Sequence, residues 1–105
     1  MTYDEFWLRY LRAHAKPASR ALHYCGSVLA LGFVALAVFT RNGVWLVFAP
    51  VAGYSFAWGG HFYVEHNRPT TFGHPFWSLV SDFRMFFLFL TGRLAPHLAA
   101  AGVGS

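Results

Sequence analysis

Two long uncharged stretches dominate the pattern of apolar and polar positions along the chain. Residues 21–40 and 42–64 contain no Asp, Glu, Lys or Arg. About 20 consecutive apolar residues are enough to cross a bilayer as a helix. We therefore predict transmembrane helices over about residues 20–40 and 44–64, folded back on each other at the turn Arg41-Asn42-Gly43.

The second predicted helix carries small residues at every fourth position. Ala49, Gly53 and Ala57 form this ladder. Small residues on one face let a neighbouring helix approach closely. The ladder therefore predicts a tight contact with another helix, and Pro50 within the same segment is a candidate kink.

Shorter segments complete the pattern. Residues 2–15 place Phe6, Tyr10 and His14 on one stripe, which predicts an amphipathic helix lying in the membrane interface. Pro17 should end or kink that helix. Residues 76–92 form a third apolar segment with two internal charges, interpreted as a third membrane helix, and residues 94–105 form a tail that is either helical or frayed. The expected fold is a single all-α, integral membrane helical domain over residues 1–105.

Composition and charge support a membrane rather than a nucleic-acid setting. The chain is 56% hydrophobic and 11% charged, whereas soluble domains have about 25% charged residues. Half of the Lys and Arg residues lie within the first 20 positions, which places that end in the cytoplasm. These residues form no compact patch further along the chain, so we expect membrane lipids as partners and no nucleic acid. The single Cys25 excludes an intramolecular disulfide.

The histidines are the candidate chemical groups. His23 and His61 lie the same number of residues before and after Asn42. Helices rising about 1.5 Å per residue would therefore bring both imidazoles to the same depth, roughly 28 Å from the turn. Basic nitrogens at one level of a lipid-embedded hairpin are plausible metal ligands.

Further candidates gather at the same membrane face. Glu65 follows His61 by four residues and shares its helix face, and the break at Pro17 could bring His14 to the other histidines. Two histidines with a carboxylate, or three histidines, are ligand sets for ferrous iron. Asp82 either pairs with an arginine or holds a histidine by a hydrogen bond.

Two arginines fall at the same depth. Arg20 and Arg68 would bind either a fatty carboxylate or phospholipid phosphates. The remaining histidines, at positions 66, 74 and 97, are expected to lie in solvent, in the loop and in the tail.

The motifs around these residues resemble a known family, the fungal 2-hydroxy fatty acid dioxygenases (domain of unknown function 962). The similarity covers about residues 3–93 and is carried by His14-Ala-Lys-Pro17, Arg20-Ala-Leu-His23-Tyr-Cys-Gly26, Gly60-His61-Phe-Tyr-Val-Glu65-His-Asn67-Arg68-Pro69 and Pro75-Phe-Trp77-Ser78-Leu, with Asp82-Phe-Arg84-Met and Gly92-Arg93 as in its shorter bacterial members.

The resemblance implies a small helical membrane enzyme that uses Fe(II) and O2 to cleave the C1–C2 bond of a lipid-soluble 2-hydroxy acid, leaving an acid one carbon shorter. Carried over by motif, the metal ligands would be His14, His23 and His61, with Glu65 as a further ligand or base. Asp82 would be a second catalytic carboxylate, and substrate binding would fall to Arg20, Asn67 and Arg68. A bacterial inner membrane with a cytoplasmic site is the expected location, and a homo-oligomer is left open.

Two other functions fit the same residues. The chain could be a non-catalytic helper subunit or lipid-organising module, in which the histidines only form hydrogen bonds at the interface. It could also ligate haem through His23 and His61 across the hairpin.

Overall fold

The computed structural model describes residues 1–103, which are all-α. The helices are α1 (Tyr3–Ala13), α2 (Pro17–Thr40), α3 (Trp45–Gly59), a π-helix (Gly60–Glu65), a short 3-10 helix (Thr70–Phe72), α4 (Pro75–Leu90) and α5 (Leu94–Ala100). The predicted all-α fold is confirmed. Of the predicted tail, residues 94–100 are helical, and residues 104 and 105 lie outside the described part of the chain.

Helix α1 (Tyr3–Ala13) lies within the segment 2–15 that the sequence predicts to be helical. The Thr2 side chain accepts a hydrogen bond from the backbone N–H of Glu5, which satisfies one of the free donors at the helix start. The helix ends at Ala13, and α2 starts at Pro17. Pro17 therefore opens the second helix, where its missing N–H costs nothing, and Lys16 before it is held extended.

Helices α2 and α3 form an antiparallel hairpin. Arg41 closes α2 in the left-handed conformation, with φ 53°. The helices touch through glycine: a Cβ on Gly26 would lie 3.0 Å from the Gly53 carbonyl oxygen. Because Gly53 is the centre of the predicted ladder, and its flanking members Ala49 and Ala57 are buried, the expected close helix contact is confirmed.

The outer surface of the hairpin is apolar, and α2 is the one helix within residues 1–103 that is long and apolar enough to cross a bilayer by itself. The chain stays helical from Trp45 to Glu65, although α3 gives way to the π-helix at Gly60. Large apolar side chains on both helices are exposed, among them Val38, Phe39, Val47 and Val51. The membrane hairpin itself stays a prediction.

Helix α4 packs against α1 and α5. The buried core contains Phe6, Trp7, Tyr10, Leu11, Met85, Leu94, Leu98 and Ala101. His97, expected in the tail, accepts a hydrogen bond from the Trp7 indole N–H at 3.1 Å and so ties α5 to α1. Both charges inside α4 face protein: Asp82 contacts His23, and the Arg84 guanidinium lies 4.3 Å from the centroid of the Trp7 ring. Whether α4 spans a membrane stays a prediction.

Candidate metal centre

Three histidines from three different elements meet at the base of the hairpin. His14 follows α1, His23 lies on α2 and His61 lies on the π-helix. The His14 ring centroid is 4.5 Å from that of His23 and 4.3 Å from that of His61, and the His23 and His61 centroids are 5.8 Å apart. All three side chains are buried. His23 and His61 therefore lie side by side at this end of the hairpin, as their equal spacing from Asn42 predicts.

The link between α1 and α2 holds His14 in place. The Arg20 guanidinium is buried and its Nη1 donates to the carbonyl oxygens of His14, at 2.7 Å, and Ala15, at 3.0 Å. These carbonyls face no helical partner once α1 has ended, so the guanidinium satisfies them. The structure thus places Arg20, expected to bind a carboxylate, on the backbone that carries His14.

The π-helix and the turn after it hold His61. His66 takes the left-handed conformation with φ 57°, and the Asn67 N–H then donates to the His61 carbonyl oxygen at 2.9 Å. The Asn67 side chain accepts a hydrogen bond from His61 Nδ1 at 2.8 Å and donates to the Ala13 carbonyl oxygen at 3.0 Å. Asn67, expected to bind substrate, is placed where it orients the His61 ring.

Asp82 of α4 holds His23. Its Oδ1 accepts hydrogen bonds from His23 Nε2 at 2.8 Å and from the Tyr10 hydroxyl at 2.5 Å. Burial, and next the Asp82 carboxylate, raise the pKa of Tyr10 well above its ordinary value. The phenol therefore stays protonated and remains a donor. Asp82 is thereby placed in contact with the histidine group.

These contacts fix which nitrogen of each ring is free. His14 Nδ1 lies 2.7 Å from the Tyr10 carbonyl oxygen and must donate to it. His23 Nε2 donates to a carboxylate. His61 Nδ1 donates to the side-chain oxygen Oδ1 of Asn67, and the orientation of this amide is set because its Nδ2 donates to the Ala13 carbonyl oxygen. The atoms left as acceptors are Nε2 of His14, Nδ1 of His23 and Nε2 of His61.

The free nitrogens fit a metal ion. His14 Nε2 and His23 Nδ1 are buried and have no hydrogen-bond partner among the described residues, which is costly unless a ligand satisfies them. One ligand nitrogen from each of the three rings lies within 4.8 Å of the others. A metal-bound histidine commonly donates its other N–H to a carboxylate, a backbone carbonyl or water. Here His23 donates to a carboxylate, His14 to a backbone carbonyl and His61 to the side-chain oxygen of Asn67. The set could therefore hold a metal ion.

The protonation state of His14 suits this role. Burial, followed by the neighbouring imidazoles of His23 and His61, lowers the pKa of His14 well below its ordinary value. A neutral imidazole keeps the lone pair that a metal requires. The site therefore presents His14 to an ion without first having to remove a proton at neutral pH.

The structure does not bring Glu65 into the histidine group. Its carboxylate accepts a hydrogen bond from the Lys16 backbone N–H at 2.6 Å and another from the Ser19 hydroxyl. The first turn of a helix has unsatisfied N–H groups and a partial positive charge, which attract a carboxylate. Glu65 therefore binds the start of α2 instead of the histidine group.

The other candidates lie outside the group. The Arg68 guanidinium is 5.6 Å from the centroid of the Phe72 ring. The His74 ring stacks on Trp77, with centroids 5.0 Å apart, and His66 is exposed. Within residues 1–103, His14, His23 and His61 form the one group of three or more metal-ligating side chains.

Sequence reasoning missed Tyr10 as a site residue. Its carbonyl orients His14 and its hydroxyl binds Asp82, so it connects two histidines of the group. The stripe of Phe6, Tyr10 and His14 placed it one turn before His14. A phenol on an otherwise apolar stripe was the available signal, because a buried hydroxyl needs a partner.

Comparison with known proteins agrees with this geometry. A family model described as 2-hydroxy-palmitic acid dioxygenase Mpo1-like matches residues 1–94, which include all three histidines, Tyr10, Asn67 and Asp82. No curated protein and no solved structure shows significant similarity to the chain. The match covers most of the chain, so the chain belongs to the 2-hydroxy-palmitic acid dioxygenase Mpo1-like family.

Proposed function

We propose that this protein is an Fe(II)-dependent dioxygenase that cleaves the C1–C2 bond of 2-hydroxy fatty acids. The 2-hydroxy acid and O2 would give the acid one carbon shorter, with C1 released as CO2 and the remaining oxygen atom as water. The observation that carries the proposal is the buried group of three histidines: one nitrogen from each ring lies within 4.8 Å of the others, and two buried ring nitrogens have no hydrogen-bond partner among the described residues. Family membership supplies the reaction class. The exposed apolar side chains of α2 and α3 support a hairpin embedded in a bilayer, where such a substrate dissolves.

His14, His23 and His61 would hold the ion. Iron(II) bound by three histidines leaves coordination positions open and supplies the redox chemistry that O2 requires. The protein's own contribution is orientation: Asp82, Asn67 and the Tyr10 carbonyl each bind one nitrogen of a ring, which leaves the other nitrogen of each histidine free for the ion.

Asp82 has a second role in this proposal. Both of its hydrogen bonds within the described residues end on Oδ1. Its side chain is 17% exposed and lines a cavity beside His23. Oδ2 is therefore available to accept the proton of the substrate's 2-hydroxyl group, which makes Asp82 the candidate base. Glu65 and Arg20 are proposed as positioning residues that act through the start of α2 and the link to His14.

The histidine geometry disfavours haem. The His14 ring centroid lies within 4.5 Å of both His23 and His61, so a third imidazole occupies space that a macrocycle between those two rings would need. A purified protein without a Soret band is the expected result.

The function is tested by metal analysis and O2 uptake. Protein purified anaerobically in detergent and supplied with Fe(II) should bind one ion per chain and consume O2 with 2-hydroxypalmitate, releasing pentadecanoic acid. Palmitate, which lacks the hydroxyl, is the matched control and should give no product. Bound iron with no product from any 2-hydroxy fatty acid would contradict the proposed reaction, and no metal binding at all would favour the non-catalytic alternative.

Replacing Asp82 tests how its hydrogen bond supports His23. Asp82→Ala leaves His23 Nε2 without its acceptor and frees the ring to change tautomer, which would remove the Nδ1 lone pair. We expect metal affinity to fall about 10–100-fold. Asp82→Asn keeps a carbonyl acceptor for His23, so its metal affinity should lie between that of Asp82→Ala and that of the wild type. The measurement is Co(II) titration followed by visible absorption.

Asp4→Ala is the control for charge alone, because Asp4 lies exposed in the first turn of α1. It should bind Co(II) as the wild type does. Equal Co(II) affinity in Asp82→Ala and wild type would show that Asp82 does not support the ligand set.

A further inference from the structure

An apolar cavity extends from the histidine group into the hairpin. It has a volume of about 270 Å³ and lies between α2, α3 and α4. His23 and Asp82 line it, and these are its residues nearest the candidate metal centre. Its other lining residues are almost all apolar. The cavity therefore has a polar end beside the candidate metal centre and an apolar interior that leads away from it.

Small side chains on facing helices create this space. On α3 the cavity is lined by Ala49, Gly53 and Ala57, the same ladder that packs against α2. On α2, Ala30 lies opposite Gly53, since a Cβ on Gly53 would lie 3.7 Å from the Ala30 Cβ. The small side chains of the ladder therefore allow the close contact between α3 and α2, and they also leave the space of the cavity beside that contact.

The dimensions of the cavity match a long acyl chain. Its lining on α2 runs from His23 to Val34, and eleven helical residues correspond to roughly 17 Å. Each carbon–carbon bond of about 1.5 Å advances an extended chain by roughly 1.3 Å, so this depth accommodates about 13 bonds. A chain of that length bound by its head at His23 would reach the level of Val34.

We infer that this cavity binds the acyl chain of the substrate, with the hydroxyl and carboxylate at the His23 end, and that Val34 at the far end sets the longest chain accepted. The inference rests on the proposed function for the identity of the head group. A hydrophobic pocket discriminates by filling and steric exclusion. The side chain at position 34 should therefore change chain-length preference without changing the metal centre.

Variants of Val34 in opposite directions test this inference. Val34 is 40% exposed, so a larger residue can be accommodated without disturbing a packed core. Val34→Phe should lower kcat/KM for 2-hydroxypalmitate at least about tenfold while 2-hydroxydecanoate is turned over as by wild type. Val34→Ala should shift the preference towards chains longer than palmitate. Ala57→Leu, which narrows the cavity near His61, should impair every chain length.

Val38→Phe is the matched control. Val38 lies one turn beyond Val34, is 67% exposed and does not line the cavity, so its variant should keep the wild-type preference. Iron content equal to wild type verifies that each variant has folded. An unchanged chain-length profile in both Val34 variants, or an equal loss at all lengths in Val34→Phe, would overturn the inference.

Binding measurements separate this inference from the proposed reaction. Equilibrium binding of the same 2-hydroxy acids, measured under argon, should show the same change in chain-length preference. If the chain-length preference in binding shifts but no acid is cleaved, the assignment of the cavity is supported and the proposed reaction is contradicted. If cleavage occurs but the chain-length preference stays the same in every variant, the proposed reaction is supported and the assignment of the cavity is contradicted.

Discussion

His61→Ala is expected to be purified without a bound metal ion. In the proposed metal centre the histidine group supplies three protein ligands, and losing one would leave two imidazoles to hold the ion. Removing a residue that only orients a ligand already costs about 10–100-fold in affinity, so removing a ligand should cost about 100-fold or more. The same result is expected for His14→Ala and His23→Ala. Elemental analysis after dialysis against a weak chelator measures the loss, and O2 uptake should fall with it.

His66→Asn is the control for this series. His66 is exposed and close to His61 in sequence, but it lies outside the histidine group. Asparagine is chosen because position 66 has a positive φ, which alanine adopts poorly. The control should keep its iron and its activity. Full metal occupancy in His23→Ala or His61→Ala would show that the ion is held elsewhere.

Gly26→Ala is expected to destabilise the hairpin although alanine is the better helix former. The added methyl group would lie 3.0 Å from the Gly53 carbonyl oxygen and 3.0 Å from the Phe56 Cβ. Both contacts are with α3 and one is with its backbone, so the two helices must separate by a few tenths of an ångström. Overpacking of this kind typically costs about 1–3 kcal/mol. Thermal unfolding in detergent measures the change, and iron affinity should fall as well, because His23 and His61 lie on opposite sides of the separated contact.

Gly32→Ala makes the identical substitution in the same helix, where a Cβ would meet nothing within 4 Å. It should raise stability by about 0.5–1 kcal/mol, because alanine loses less conformational entropy in a helix than glycine does. A Gly26→Ala protein as stable as Gly32→Ala would show that the close contact at Gly53 does not limit the hairpin.

The parts of the fold that follow from local rules could be predicted. Equal depth for His23 and His61 needs only two continuous helices and a short turn, because the rise per residue is constant. The break before Pro17 follows from a missing N–H and the restricted residue before it. Both rules act within a few residues, so they can be read directly from the chain.

The hydrogen bonds around the site could not be predicted in the same way. Asp82 lies far from His23 along the chain, and their contact depends on how α4 packs against α2. The position of Glu65 depends in the same way on a distant segment, because its carboxylate binds the Lys16 N–H and the Ser19 hydroxyl at the start of α2. Asn67 reaches His61 only because His66 reverses the chain direction in the left-handed conformation.

The placement of the three histidines on separate elements has a consequence for biogenesis. None of the segments 3–14, 17–40 or 60–65 carries more than one of the ligands. No single helix can therefore supply two members of the group, so an ion held by all three histidines would be bound only after α2 and α3 have paired and the end of α1 has packed beside them. An ion bound at that stage would stabilise the packing of these elements against one another, because its release would require them to separate.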